Sequence, residues 1–193
     1  MTVSTASPQV LGVDLAVERS GRDLPDFTAL FDLNFDYIWH TLRRLGVRAA
    51  DLEDVTHEVF LTVHRHLDEF DPERPPRPWL FVFALRAAAD YRRLARHRLD
   101  FTVDTDLMRD ARPLPDDLAI ARERLDRVAI ALDSLDLDRR AIFVLHEIDG
   151  VPTPEAAQIL GIPLNTAYSR LRHAREDFAA AVMRLERRRG GER

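Results

Sequence analysis

Charged side chains lie in blocks of opposite sign, and each block could pair with a different kind of surface. The segment Asp51 to Glu73 contains eight acidic residues and one base, Arg65. The next segment, Arg74 to Arg98, contains seven Arg and one acid, Asp90. Carboxylates pair with cationic protein surfaces, and guanidinium groups pair with phosphates, often through two parallel hydrogen bonds. The sequence therefore predicts an acidic and a basic face in one small domain, although the net charge of the chain is -5.

A second group of basic and hydroxyl side chains follows a pattern typical of a helix-turn-helix. Thr153 is a candidate N-cap, with Pro154 at the first helical position. Gly161 can end this short helix, and Pro163 prevents it from continuing. A second helix would then bury a stripe of one face. That stripe consists of Leu164, Ala167, Leu171, Ala174 and Phe178.

The opposite face of this second helix carries side chains that suit DNA. Its outward residues are Asn165, Thr166, Tyr168, Ser169, Arg172, His173 and Glu176. The recognition helix of a helix-turn-helix places its N-terminal part in the major groove, where Arg binds guanine edges and hydroxyl groups bind bases or phosphates. The pattern therefore favours DNA binding over a helical hairpin with merely solvated Arg residues.

Histidines close to acidic residues raise the alternative of a metal enzyme. His57, His64 and His66 lie near Glu53 and Glu58, and the spacing of Glu53 and His57 places them on one helix face. The His-Glu-x-x-His pattern of zinc hydrolases is absent, and a chain without Cys has no thiolate ligand or thiol nucleophile. The sequence predicts no catalytic residue, no metal site and no cofactor.

Apolar residues at helical spacing predict the elements that position these side chains. Gly46 can end a first helix, and Asp51 can cap the next. The Pro-rich stretch 72–78 should end that second helix and impose an extended connector before Trp79. The predicted fold class is all-α, with two small helical domains joined by a flexible acidic linker and a helix-turn-helix in the C-terminal domain.

The predicted organisation has five parts. They are an N-terminal extension at 1–25 that could be disordered, a helical domain at 26–98, a linker at 99–117 that contains six Asp and two Pro, a second domain at 118–185 and a basic tail at 186–193. No apolar run is long enough to span a membrane, and Met1 to Gly21 lacks the layout of a signal peptide. We expect a cytoplasmic protein with no membrane insertion.

Two segments together resemble sigma factors of the extracytoplasmic function (ECF) group, in the sigma-70 family. The first, DLEDVTHEVFLTVHRHLDEFDPERPPRPWLFVFALRAAADYRR, is similar to the family's polymerase-binding helix and promoter-melting segment. The second, LDSLDLDRRAIFVLHEIDGVPTPEAAQILGIPLNTAYSRLRHARE, is similar to its second DNA-binding domain. The resemblance covers about residues 27–185. It implies a factor that directs promoter recognition and transcription initiation at a specific regulon and is nucleoid-associated when active.

The resemblance also implies partners and residue roles. Core RNA polymerase would be bound through the coiled coil of its largest subunit and the flap of its second-largest subunit. The candidate polymerase-binding residues are Asp51, Asp54 and Glu58. The candidates for the minus-10 element are Arg77, Arg86, Asp90, Tyr91, Arg92, Arg93 and Arg96. The candidates for the minus-35 element are Thr166, Tyr168, Ser169, Arg170, Arg172, His173 and Arg175, with Arg170 and Arg175 on phosphates.

Several residues depart from the family pattern. His57 stands where Gln is common, Pro76 where an aromatic is usual, Arg86 where Asn is common, and Tyr168 where a basic residue is frequent. Arg86 and Tyr168 could therefore alter promoter preference. Family members usually bind an anti-sigma factor, which is a further expected partner. The alternative, a helix-turn-helix regulator that does not act as a polymerase subunit, leaves the acidic and basic N-terminal blocks unexplained.

Overall fold

The computed structural model describes residues 26–99 and 127–190. The predicted N-terminal extension, nearly all of the predicted linker and the last three residues lie outside the described residues. Within the described ranges every regular element is helical, which confirms the all-α fold class. The helices are α1 (Phe27–Arg44), α2 (Leu52–Arg65), α3 (Pro76–Leu99), α4 (described over 127–133), α5 (Leu137–Phe143), α6 (Thr153–Ile159) and α7 (Leu164–Gly190).

Helices α1, α2 and α3 pack against one another and form the N-terminal half. Asp26 caps α1 by accepting a hydrogen bond from the backbone N–H of Thr28 at 3.0 Å. As predicted, α1 ends just before Gly46, which has a φ of +97°. Fully buried side chains such as Ile38 and Leu80 fill the space between the helices. Removal of this apolar surface from water holds the three helices together.

Two details of the N-terminal half differ from the sequence predictions. Asp51 precedes α2, but its side chain makes no capping hydrogen bond. The expected extended connector before Trp79 was wrong, because α3 begins at Pro76. Pro76 and Pro78 occupy the first turn of α3, where backbone N–H groups have no intrahelical acceptor and a missing N–H costs little.

The C-terminal half contains the predicted helix-turn-helix. Gly161 has a φ of +63° and separates α6 from α7. Thr153 is already the first residue of α6 and makes no capping bond, so the helix begins one residue earlier than predicted. Ala167, Leu171 and Ala174 are buried as expected. Leu164 is 43% exposed, however, because it lies at the very start of α7 and outside the packed stripe.

The two halves contact each other, which the sequence did not indicate. One hydrophobic cluster includes Ile38 and Leu80 of the N-terminal half together with Ile142 and Leu145 of the C-terminal half. Helix α6 also packs against α3. The α5 helix continues into a π-helical turn, Val144–Ile148, which ends at the boundary between the halves. The described residues therefore form one closed body.

Candidate nucleic-acid interface

The acidic face of α2 is available to a partner at two of its three predicted positions. Asp54 and Glu58 are exposed, whereas Val55 and Val59 on the opposite side are buried. Asp51 is engaged within the chain, because the Tyr91 hydroxyl donates a hydrogen bond to its Oδ2 at 2.5 Å. Arg48 Nη2 lies 2.9 Å from the same oxygen. The structure thus joins Asp51, a predicted polymerase contact, to Tyr91, a predicted minus-10 contact.

The basic residues of α3 differ in how free their guanidinium groups are. Arg86 is exposed, and Arg93 is exposed but lies 3.2 Å from Asp90 Oδ1. Arg77 projects from the first turn of α3 over the Tyr37 ring, with 5.1 Å between its Cζ atom and the ring centroid. Arg92 is half-buried. Arg96 belongs to α3, but its side chain lies outside the described part of the structure.

The aromatic residues near the start of α3 pack inside the N-terminal half. The Trp79 and Phe83 rings meet edge to face with centroids 4.8 Å apart, and Phe70 lies 5.0 Å from Trp79. Phe81 is fully buried. These rings fix the position of α3 through packing, so they are not free to stack on bases.

The first turns of α7 present a solvent-facing set of side chains that can bind bases. Tyr168 is 53% exposed, and Ser169 is also exposed. The Arg172 side chain is 67% exposed and lies 3.7 Å from Glu176. His173 Nδ1 lies 3.3 Å from the same carboxylate. Thr166 is half-buried, next to the turn. Most of the predicted minus-35 set therefore lies on one accessible face.

Two of the predicted phosphate contacts on α7 are paired within the chain. Arg170 Nη2 lies 2.7 Å from Asp138 Oδ2, and Arg175 Nη2 lies 2.6 Å from Glu147 Oε1. The positive charge that the sequence places on this helix is thus partly offset by acids of preceding elements. Exposed ion pairs of this kind contribute only about 0 to 1 kcal/mol, so a phosphate can compete with them.

A polar cluster at the boundary between the halves was missed by the sequence analysis. The Tyr37 hydroxyl on α1 donates a hydrogen bond to Asp149 Oδ2 at 2.9 Å. Arg44 Nη1 lies 3.5 Å from Asp149 Oδ1, and the Asp149 side chain is only 13% exposed. Burial raises the pKa of Asp149, while the Tyr37 hydrogen bond and the charges of Arg44 and Arg77 act to lower it. No motif in the sequence marks this pairing.

A second polar group lies in the same contact, with the opposite charge. Arg140 on α5 is 1% exposed, and its Nη1 donates a hydrogen bond to Asp133 Oδ1 at 2.9 Å. Its Nη2 donates to the Leu135 carbonyl at 3.3 Å, but its Nε has no partner. Burial lowers the pKa of Arg140, and the charge of Arg92 lowers it further. The guanidinium lies against Gly46, where a Cβ atom would be 2.5 Å from Nη1.

The structure offers no support for a metal site or a membrane span in its described part. Residues 26–99 and 127–190 contain no cluster of three or more His, Cys, Asp or Glu side chains that could hold a metal ion. In the same two ranges no helix is both long and apolar enough to cross a bilayer.

The geometry defines an all-helical protein in which a helix-turn-helix with an exposed Arg-bearing second helix, the arrangement of a class of DNA-binding proteins, is combined with a second basic helix. Comparison with protein families identifies both parts. Residues 30–98 match sigma-70 region 2, and residues 125–178 match sigma-70 region 4. The chain belongs to the sigma-70 family and to its ECF group of RNA polymerase sigma factors.

Named relatives agree with this assignment. RNA polymerase sigma factor CnrH of Cupriavidus metallidurans is 34% identical over 149 residues, which cover 72% of this chain and 78% of CnrH. ECF RNA polymerase sigma factor SigL of Mycobacterium tuberculosis is 34% identical over 147 residues, covering 76% of this chain and 82% of SigL. These relatives belong to a class of transcription initiation factors rather than of enzymes.

Solved structures show the same fold. CnrH in complex with the cytosolic domain of CnrY aligns with a TM-score of 0.58 and 31% identity, covering 80% of this chain and 85% of that one. The sigma factor RpoE of Bartonella quintana, in complex with the anti-sigma factor NepR, aligns with a TM-score of 0.63 and 20% identity. That alignment covers 82% of this chain and 97% of RpoE and supports the fold.

Proposed function

We propose that this chain guides core RNA polymerase to the promoters of a specific regulon by contacting two separate promoter elements. The observation that carries the proposal is the accessible face of Tyr168, Ser169 and Arg172, which follows the Gly161 turn in the region 4 part of a sigma factor. In this proposal residues 26–98 and 118–185 are the two working domains, residues 99–117 link them, 1–25 extend the chain and 186–193 form a basic tail.

The minus-35 element would be read by the start of α7. An α-helix fits the major groove, and residues near the N-terminus of a recognition helix reach the base edges. Arg172 is the exposed side chain suited to a bidentate contact with guanine. Arg170 and Arg175 would exchange their acidic partners for phosphates when the helix docks.

The minus-10 element would be bound by α3. Separated strands need a cationic track, and the proposed track is Arg77, Arg86, Arg92, Arg93 and Arg96, with Asp90 and Tyr91 beside it. Arg86 and Arg93 are exposed in the closed body. Arg77 is exposed and stacks on the Tyr37 ring of its own half, whereas Arg92 is half-buried and lies near Arg140 of the other half.

Core polymerase would dock on the acidic face of α2 through Asp54 and Glu58, with Asp51 at the edge of this face. Opposite charge across such an interface mainly increases the association rate and fixes the orientation of docking. The proposed receiving surfaces on polymerase are the coiled coil of the largest subunit and the flap of the second-largest subunit. We place this activity in the cytoplasm, and at the nucleoid when polymerase is bound.

An anti-sigma factor is the proposed regulator. CnrH, which is similar to this chain, has been solved with the cytosolic domain of CnrY, and RpoE has been solved with the anti-sigma factor NepR. A partner of this kind would bind the closed body and keep α3 and α7 from promoter DNA. Co-purification of the full chain with a neighbouring gene product that blocks transcription in vitro would test this part of the proposal.

Transcription with purified core polymerase tests the main proposal and separates it from the alternative of an ordinary regulator. A sigma factor confers start-site choice on core polymerase, whereas a regulator binds duplex DNA without replacing the resident initiation factor. Start sites mapped after forced expression supply the promoter templates. If the chain never confers initiation on core polymerase, the proposal is wrong.

Matched variants assign the two contacts. Arg172→Ala should weaken promoter binding by about 1 to 3 kcal/mol and relax base preference within the minus-35 element. Arg184→Ala, exposed further along the same helix, is the control and should leave both unchanged. Combined Asp54→Arg and Glu58→Arg should abolish polymerase binding, and with it initiation, while circular dichroism still shows the helix content of the parent. Asp32→Arg, exposed on α1, is the matched charge reversal.

A further inference from the structure

Three Arg side chains in the first half of α7 are held to different degrees. Arg172, the proposed contact with guanine, is 67% exposed and lies 3.7 Å from Glu176 and 3.3 Å from His173, both on the same helix. Arg170 and Arg175, the proposed phosphate contacts, lie only 2.7 Å and 2.6 Å from carboxylate oxygens of other elements. The group that would read a base is thus loosely held, whereas the groups that would bind phosphates are closely paired.

The acids that pair with the phosphate contacts come from outside the helix-turn-helix. Asp138 lies in the first turn of α5, and Glu147 lies in the π-helical turn that follows it. Glu147 Oε1 accepts a hydrogen bond from Arg175 Nε at 2.6 Å, and Nη2 of the same guanidinium is also 2.6 Å from it. Since α7 packs against α5, both acids belong to the scaffold that supports the helix.

These pairs offset the charge that α7 would present to DNA. Residues 165–175 include three Arg and no acid. Three carboxylates lie beside them in the structure, one for each guanidinium: those of Asp138, Glu147 and Glu176. Sequence-independent affinity for a duplex comes from cations that neutralise phosphates. The start of α7 therefore has little such affinity while its ion pairs are intact.

Docking on DNA must rearrange the pairs at Arg170 and Arg175. A phosphate that binds either guanidinium lies next to a carboxylate, and the two like charges repel unless the acid moves away. An exposed ion pair corresponds to at most about a fivefold change in an equilibrium constant, so each acid lowers phosphate affinity modestly. Contacts with base edges can offset this loss, but only at a matching sequence.

Resting on the proposed function, we propose that Asp138 and Glu147 determine specificity by suppressing phosphate binding through α7, so that initiation depends on base contacts in the minus-35 element. Both are positioning residues, because they act through Arg170 and Arg175 and not by contact with DNA. A purely structural role would be to fix α7 to its scaffold. Neutralising the acids would then weaken initiation, whereas the proposed role predicts that initiation at a poor promoter increases.

Neutral variants of the full chain, assembled with core polymerase, test the proposal. Asp138→Asn and Glu147→Gln keep the shape of each side chain and remove its charge. Initiation is measured on an intact promoter, at a holoenzyme concentration that nearly saturates it, and on a weakened promoter with one base pair of the minus-35 element changed. The combined variant should initiate several-fold more often than the parent on the weakened promoter and about equally on the intact one.

Salt dependence supplies a readout that a purely structural role would not move. Each additional phosphate that the protein neutralises steepens the fall of log affinity with log salt concentration by about 0.9. The slope for the combined variant on the weakened promoter should therefore be steeper than that for the parent, by at most about 0.9 for each acid removed.

Two controls separate action through the paired Arg residues from a general change in charge. Asp177→Asn and Glu186→Gln together remove the same charge from α7, but Asp177 pairs with Arg139, which is not a proposed DNA contact. This control should match the parent on both promoters. Glu147→Gln should have no effect once Arg175→Gln has removed the guanidinium that it would release, as a double-mutant cycle can measure.

The possible results have distinct meanings. Unchanged or reduced initiation on the weakened promoter by a folded combined variant, or an equal gain in the charge control, would overturn the proposal. If the combined variant loses helix content by circular dichroism, Glu147→Gln alone supplies the test. Failure of the parent to initiate on the intact promoter contradicts the proposed function, whereas initiation by the parent with no gain in the variants contradicts only the role of the two acids.

Discussion

Asp149 and Arg140 are two charged groups of the C-terminal half that lie at the same contact, and their surroundings differ. Asp149 receives a hydroxyl and a guanidinium from the N-terminal half. Arg140 meets the backbone turn at Gly46 and the like charge of Arg92, while its hydrogen-bonding partners, Asp133 and Leu135, come from its own half. Asp149 therefore has its polar partners in the other half, whereas the hydrogen-bonding partners of Arg140 lie in its own half.

This difference indicates that the contact is balanced rather than optimised for stability. Buried charges stabilise an interface only when their partners offset the loss of hydration. Tyr37 and Arg44 offset only part of that loss for Asp149, whose pKa stays raised, whereas Arg140 brings an unpartnered Nε and a cationic neighbour. Neither charge favours the contact by itself, so the apolar cluster shared by the two halves supplies most of its stability.

The largest expected effect comes from filling the space at the Gly46 turn. Gly46→Ala adds a Cβ atom 2.5 Å from Arg140 Nη1 and also forces a side chain into a left-handed conformation. The conformational strain alone costs about 1 to 2 kcal/mol. Because Arg140 is buried and bonded, it cannot move away freely, and we expect a total loss of about 2 to 4 kcal/mol in the free energy of unfolding. Urea denaturation measures this loss.

Gly161→Ala is the matched control for this prediction. Gly161 also has a positive φ, but nothing lies within 4 Å of its added Cβ atom, so that variant should show the strain cost alone. Introducing Arg140→Ala should bring the Gly46→Ala cost down toward the Gly161→Ala cost. Equal losses for the two glycines in the parent chain would mean that the close approach to Arg140 is not significant.

The surroundings of Asp149 and Arg140 could not be predicted from the sequence, although much of the fold could be predicted. The helical period and the residues around Gly161 predict the all-α class and the helix-turn-helix, because both depend on local spacing. The pairing of Tyr37 with Asp149 joins positions 112 residues apart and has no local signature. Likewise, an Arg in a short helix is normally read as solvated, and only tertiary packing buries Arg140.

Within the candidate site, sequence spacing placed residues on faces but could not assign their partners. It correctly placed Tyr168, Ser169 and Arg172 outward on α7. It could not show that Arg170 pairs with Asp138, since the two lie on different helices, α7 and α5. Whether a charged side chain is free for DNA depends on such contacts between elements, which periodicity does not contain.

A smaller effect of opposite sign is expected at Arg92. Arg92→Gln removes the like charge beside Arg140 and should raise the free energy of unfolding by about 0.5 kcal/mol, as for other like-charge pairs at partly exposed positions. Arg93→Gln is the neighbouring control, and it should cause a slight loss because Arg93 pairs with Asp90. Destabilisation by Arg92→Gln would show that Arg92 supports the contact rather than opposing it.

The smallest expected effect is a pH dependence of the free energy of unfolding that comes from Asp149. Because burial raises the pKa of Asp149, protonation of this carboxyl favours the folded, closed form. That contribution is complete below the ordinary pKa of an Asp carboxyl and is lost as pH rises through the raised value. The other charged or titratable side chains that line the cleft of about 620 Å³ around Asp149 are Asp36, Tyr37, His40, Arg44 and Arg77.

Comparison with Asp149→Asn isolates this group from the others in the cleft. The variant cannot titrate at this position, so its advantage in free energy of unfolding over the parent should be smallest in acid and should grow as Asp149 ionises. Above the raised pKa the difference should become constant, which denaturation curves across the acid range can measure. A difference that shrinks with rising pH would mean that Tyr37 and Arg44 more than offset the cost of burial, and Asp149 would then be a stabilising charge rather than a tolerated one.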